Sequence, residues 1–263
     1  DHDILATRLR DLWQHSGYSS GPGLTRLQQL FKSDLKPVSS DRNGGSPMPK
    51  QFDDLLLYLG SAIQMIEDGG DDEMFYGQAR LVKHIDEPAC AALASYYART
   101  LKPGGDILDL MSSYASHLPA DAAYGRVVGL GMNQVELDEN SQLSERLIHN
   151  LNANPTMPFP DGTFDACILA VSVQYLTQPV ETFADVARVL KPGALLAISF
   201  SNRMFATKAV AVWRSVGDAD HARLLEIYLR CAGGFGDLSF EDLSPELGQS
   251  DPLYVVSARR EMV

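Results

Sequence analysis

The chain has 263 residues, with 22 Lys and Arg against 34 Asp and Glu and a formal net charge of −12. At 45% hydrophobic and 21% charged it has globular composition and enough apolar material for a sizeable core, which excludes a disordered chain, a collagen and a coiled coil. So negative a balance, with no run of Lys or Arg, argues against nucleic-acid and anionic-membrane partners and for a small molecule or a protein. Cys90, Cys167 and Cys231 lie far apart and the six histidines are dispersed, so neither a disulfide framework nor a metal site is expected. No apolar stretch is long enough to span a bilayer. The expected compartment is cytoplasmic, or an organelle reached by a targeting segment absent from a sequence that starts at Asp1.

Leu5, Leu9, Leu12 and Trp13, and later Phe52, Leu55, Leu56, Leu59, Ile63 and Ile66, recur at helical spacing, which predicts a helical appendage over residues 1–75 before a main domain over 76–263. The acidic run Glu67, Asp68, Asp71, Asp72 and Glu73 reads as a solvated loop. Pro88 after Asp86 and Glu87 opens a helix that Pro103-Gly104-Gly105 stops. Strands are then expected at Ile107–Met111, Arg126–Leu130, Arg146–Leu151, Phe164–Val171 and Ala194–Phe200, the apolar ones buried on both faces as in parallel sheets. A helix from Pro179 to Leu190, ended by Lys191-Pro192-Gly193, separates the last two. Helices at Ala206–Val216 and Asp218–Cys231 follow, then strands Leu238–Leu243 and Leu253–Ala258 with no helix between them. The pattern predicts a Rossmann-like, doubly wound, mostly parallel seven-stranded sheet with an antiparallel edge hairpin. Ligands of such sheets bind outside the carboxyl ends of the strands where strand order reverses, so the residues just after each strand are the ones to weigh.

Two segments, Met157-Pro158-Phe159-Pro160-Asp161-Gly162-Thr163-Phe164-Asp165 and Arg188-Val189-Leu190-Lys191-Pro192-Gly193-Ala194, resemble those of the class I S-adenosylmethionine-dependent methyltransferases, in particular the type 11-like members. The resemblance covers roughly residues 80–260 and implies S-adenosylmethionine as cofactor, S-adenosylhomocysteine as product and methyl transfer to a small-molecule acceptor. On the same resemblance Asp109 matches the family's acidic residue after the first strand, and Met111, Ser112, Ser113 and Ser116 stand where the family has a glycine-rich loop. Gly131 stands where the family has the carboxylate that takes the ribose hydroxyls, with Asn133 or Glu136 as substitutes and Met132 against adenine. Asn150 or Asn152 would accept from the adenine amino group, and Val171 and Ser172 close the cofactor side. Tyr76, Arg80, His84, Gln174, Tyr175, Asn202 and Arg203 are the substrate-side candidates, and His117 is the candidate base. The glycine-free loop and the missing ribose carboxylate also leave a second reading, a catalytically inactive methyltransferase-like fold that serves as a binding or interaction module.

Overall fold

The computed structural model describes residues 66–246 and 248–262. The first expected appendage helix and all of the second but Ile66 lie outside them. The described elements run in chain order as α1 (Asp72–Gly77), α2 (Glu87–Thr100), β1 (Ile107–Leu110), β2 (Val127–Gly131), α3 (Gln134–Glu139), β3 (Glu145–Ile148), β4 (Phe164–Ala170), a 3-10 turn (Val173–Tyr175), α4 (Pro179–Val189), β5 (Leu190–Phe200), α5 (Ala211–Arg214), α6 (Asp218–Ala232), β6 (Phe235–Asp242) and β7 (Tyr254–Arg260). None of the described helices is long and apolar enough to cross a membrane.

The seven strands form one sheet in the order β3-β2-β1-β4-β5-β7-β6. β1 pairs in parallel with both β2 and β4, whereas β7 runs antiparallel to β5 and β6. From β1 the chain therefore winds outward to β3, returns to the other side of β1 at β4, and winds away again. The reversal lies between β1 and β4. Ile107, Leu108, Asp109 and Leu110 of β1 are all buried, because this strand is covered on both faces. The third strand runs Glu145–Ile148 where Arg146–Leu151 was expected, and at this edge of the sheet Glu145, Arg146 and Ile148 are exposed.

Local chemistry sets the helix ends. Asp86 accepts from Ala89 N at 3.0 Å and Pro88 sits in the first turn, so α2 starts where capping and the fixed proline φ favour it. Its Ala89, Leu93, Tyr96 and Tyr97 fall on one stripe and are buried. α4 starts on Pro179 and buries Phe183, Val186, Ala187 and Val189; losing the Phe183 ring would cost about 3–5 kcal/mol. Lys191-Pro192-Gly193 does not follow the helix as a separate stop but forms the irregular start of β5, with Gly193 at φ 76° and a register shift against Phe164 and Ala166. The helix expected over Ala206–Val216 shrinks to Ala211–Arg214.

The two segments that carry the family resemblance are bonded to each other. Arg188 donates to Phe159 O at 2.7 Å, Met157 O at 3.0 Å and the Asp161 carboxylate at 2.9 Å, and Lys191 Nζ reaches Asp165 Oδ2 at 2.7 Å. They join the start of β4 to the start of β5, at the end of the sheet opposite the strand reversal's carboxyl side. Their job is scaffolding.

Candidate active site

At the carboxyl end of β1, Asp109 is buried and its Oδ2 accepts from Ser112 Oγ and Ser116 Oγ, each at 2.6 Å. Burial raises its pKa to about 6, and the two serine hydroxyls pull the other way. Asn140 holds the loop from behind through Ser113 O at 2.9 Å and Ser116 Oγ at 3.0 Å. Met111, the first residue after the strand, has φ 55° and His117 at the loop's end also has φ 55°. Left-handed backbone favours glycine, so this serine loop keeps a glycine-type turn at Met111 with a side chain that tolerates it at a cost of about 1–2 kcal/mol.

At the end of β2 no side chain can stand at Gly131, because an added Cβ would meet the Ser112 carbonyl oxygen closer than 3.0 Å. A carboxylate reaches the cleft from the next helix. Asn133 caps α3 by accepting from Glu136 N at 3.1 Å, and Glu136, buried, turns its side chain into the cleft. Its Oε1 accepts from Arg80 N at 2.7 Å and its Oε2 from Ser113 Oγ at 2.6 Å. Asn133 spends its amide on Tyr76 O and Gly77 O at 2.8 and 3.1 Å. Its oxygen and both its amide bonds are thus engaged in holding α3 and the segment above it.

Beyond β3, Asn150 Oδ1 accepts from Asn152 N and Ala153 N, and Asn152 bridges Asp72 Oδ2, Tyr175 O and Thr177 N at 2.9–3.0 Å. Both carbonyl oxygens thus accept from backbone N–H groups, and both residues line the cleft. After β4, Val171 adopts φ 43°, rare for a β-branched residue, and marks strain at the reversal. Ser172 Oγ is buried with no hydrogen-bond partner. Gln174 donates to Val171 O at 2.9 Å and lies behind the wall, not on it.

Residues 68–84 close the cleft from above. The buried Lys208 donates to Asp68 O, Gly70 O and Asp72 Oδ1 at 3.0–3.1 Å, and Asp71 caps α1 through Glu73 N at 2.8 Å. The acidic run expected to be a solvated loop is thus partly a helix cap and partly the partner of a buried ammonium. Arg80 donates to Phe75 O and Gln78 O and its guanidinium lies 4.6 Å from the Phe75 ring centre and 5.2 Å from that of Phe205. Tyr76 Oη is buried without a partner. His117 is pushed down to about 4 by burial, with Lys83 and His84 adding to the effect, and burial also lowers His84.

The cleft so formed holds roughly 1080 Å³ of empty space, part of it open to solvent. Asp109, Met111, Ser112, Ser113, Gly131, Met132, Asn133, Asn150, Asn152, Val171 and Ser172 line it, as do Tyr76, Arg80, His84, His117 and Tyr175. Ser116 stands one layer back, under Asp109. Asn202 and Arg203 are exposed and do not line the cleft, and Arg203 faces Asp251 at 3.9 Å; the chain after β5 turns its next residues, not these, toward the site. Sequence reasoning missed Phe205 as a wall residue, Lys83 at the rim and Lys208 beneath the cover. A lone lysine in an apolar stretch, Thr207-Lys208-Ala209-Val210, was the available signal for the last.

A family described as a methyltransferase domain matches residues 111–198, which span the loop after β1 through β5. Among relatives, the biotin biosynthesis bifunctional protein BioHC of Teredinibacter turnerae is 29% identical over 103 residues, 37% of this chain and 18% of that protein. The 2-phytyl-1,4-naphtoquinone methyltransferase of Synechococcus elongatus is 30% identical over 162 residues, 58% of this chain and 66% of that protein. Among solved structures, a chain from the complex between the Haloferax volcanii Trm112 methyltransferase activator and a methyltransferase superposes with a TM-score of 0.52 at 15% identity, covering 67% of this chain and 91% of that one, and so shares the fold. Over residues 111–198 the chain thus matches the class I S-adenosylmethionine-dependent methyltransferase superfamily. It spans between about a fifth and two thirds of the length of these two curated relatives. The superfamily's cofactor fits the residues present: the cleft sits at the strand reversal, has a glycine-type turn after β1, and carries a carboxylate at Asp109 and another at Glu136.

Proposed function

We propose that this chain transfers the methyl group of S-adenosylmethionine to a small-molecule acceptor. The observation that carries the reading is the buried Asp109, bonded to Ser112 and Ser116 beside the left-handed Met111 at the strand reversal. When bound, the cofactor supplies a methyl group on a sulfonium, which is its own leaving group, and S-adenosylhomocysteine is the product. Asp109 and the loop of Ser112 and Ser113 would hold the amino-acid end, Asp109 ionising above about pH 6 to face an ammonium. Glu136 would take ribose hydroxyls in exchange for its present donors, Ser113 Oγ and Arg80 N. Met132 offers a polarizable surface to the base.

The protein's remaining work is to position and to exclude water, and the 68–84 cover suits both. His117, held down to about 4 by burial, lines the wall uncharged near neutrality and is a weak proton acceptor there. The two departures that supported an inactive binding module each have a counterpart in the chain, the turn at Met111 and the carboxylate at Glu136. The small-molecule acceptor rests on the relatives: the Synechococcus protein is named for a quinone and the Teredinibacter protein for biotin biosynthesis. Denaturation with S-adenosylhomocysteine at 100 times its Kd should raise stability by about 2.7 kcal/mol. An unchanged Tm in millimolar ligand would remove the reading.

A further inference from the structure

One part of the cleft is walled by rings. Tyr76, His84, Tyr175 and Phe205 all line it. Tyr175 and Phe205 stack with centres 6.0 Å apart, Tyr76 lies 6.4 Å from Tyr175, and His84 meets Phe205 edge-on at 5.6 Å. Phe75 braces the group from outside, 4.9 Å from Tyr76 and 5.5 Å from Phe205. The charged side chains of the cleft are already committed. Arg80 donates to two carbonyls, Lys83 to Glu87 at 2.9 Å, while Glu136 and Asp109 each accept from two donors. Of the buried polar side-chain atoms without a partner, two belong to described residues that line the cleft, and both are neutral: Tyr76 Oη and Ser172 Oγ. Burial holds the Tyr76 phenol protonated and His84 uncharged at neutral pH. A buried hydroxyl without a partner costs about 1–3 kcal/mol, which a ligand atom would recover.

We propose that this ring-lined part is the acceptor subsite and that it takes an uncharged, flat ring bearing a hydroxyl or carbonyl oxygen, with Tyr76 and Ser172 as the groups that hydrogen-bond that oxygen. The proposal rests on the methyl-transfer reading for the word acceptor, and on the rings and orphaned hydroxyls for the rest. With Asp109 and Glu136 assigned to the cofactor, and Arg80 and Lys83 bonded to carbonyls and to Glu87, the described residues lining the cleft leave no carboxylate for an acceptor ammonium and no cation for an acceptor carboxylate or phosphate. Flat rings gain from stacked and edge-on contacts with Tyr175 and Phe205 beyond their buried area, which a saturated ring of the same size does not. The competing account is that the rings only fasten residues 72–84 to the body of the protein.

The test is fluorescence titration of the full chain, saturated with S-adenosylhomocysteine, with 2-naphthol, beside decahydro-2-naphthol, 2-naphthoate and 2-naphthylmethylammonium. The expected result is that 2-naphthol binds tightest, and that Tyr76→Phe, which keeps the ring and its packing, weakens it about tenfold while S-adenosylhomocysteine affinity stays unchanged. Ser172→Ala should weaken 2-naphthol as well. Equal binding of the saturated alcohol or of a charged analogue, no binding of 2-naphthol, or an affinity untouched by both substitutions would overturn the proposal. Failure of S-adenosylhomocysteine itself to bind, read in the same titrations before the ring probes are added, would overturn the methyl-transfer reading and the acceptor assignment with it.

Discussion

The carbonyl oxygen of Ser112 occupies the space in which a side chain at Gly131 would begin. The loop after β1 and the end of β2 are therefore packed backbone against backbone, tied also by Ser112 N donating to Leu130 O at 2.8 Å. A carboxylate cannot be carried on β2 under that loop, and Glu136 one helical turn later is the acid that reaches the cleft.

Restoring the superfamily's pattern at this point should therefore do harm. Gly131→Asp is expected to destabilise the fold by at least about 2 kcal/mol, since the obstacle is main chain and cannot rotate away. It should not tighten cofactor binding. Urea denaturation with a parallel binding assay checks both; a variant of wild-type stability would show that the loop is free to move aside.

Asp109 gives the stability a pH dependence of definite sign. Its folded-state pKa is raised to about 6, above the roughly 3.9 of an unfolded aspartate, so the folded state holds the proton more tightly. The unliganded protein should thus lose stability as pH rises from about 4 to about 6, by up to about 3 kcal/mol from this group, and be level in it above that range. Asp109→Asn should flatten that slope in chemical denaturation run at a series of pH values. A slope identical in the two proteins would mean that Asp109 titrates normally.

Lys208 should prove structural in effect yet local in reach. Its ammonium is buried under residues 68–72, and Lys208→Met leaves two carbonyls and the Asp72 carboxylate without it, at an expected cost of about 3–5 kcal/mol. Hydrogen exchange should quicken first in residues 68–84. Faster exchange spread evenly over the sheet, with no excess in that segment, would contradict a clamp on the cover.

Much of this architecture was legible because burial writes itself into composition. β1, β4 and β5 are covered on both faces and read as apolar runs, and the helix-free gap between β6 and β7 announced the antiparallel hairpin. The edge strand β3 carries no such mark: its mixed run of Glu145, Arg146, Leu147 and Ile148 is largely exposed. The site was legible as a set of strand ends but not as a set of partners. Asn150 and Asn152 are suited to adenine by type, yet their oxygens satisfy nearby backbone N–H groups, a competition that one-dimensional spacing does not display. Glu136 was visible only as a possible substitute, because what keeps a carboxylate off the end of β2 is the closeness of Ser112 O to Gly131, a contact that spacing along the chain does not display. The left-handed turn at Met111 carries no sequence mark at all, since the residue is not one that prefers it.

The central claim is that the cleft between β1 and β4 is a cofactor site held by Asp109 and Glu136. Calorimetric titration of the full chain with S-adenosylhomocysteine, beside Asp109→Ala and Glu136→Gln, tests it most directly. The account predicts one site, weakened about tenfold or more in each variant, as expected for loss of a hydrogen bond to a charged group, with the fold intact by circular dichroism. Wild-type affinity in both variants, or no heat of binding from a folded wild-type chain, would contradict it.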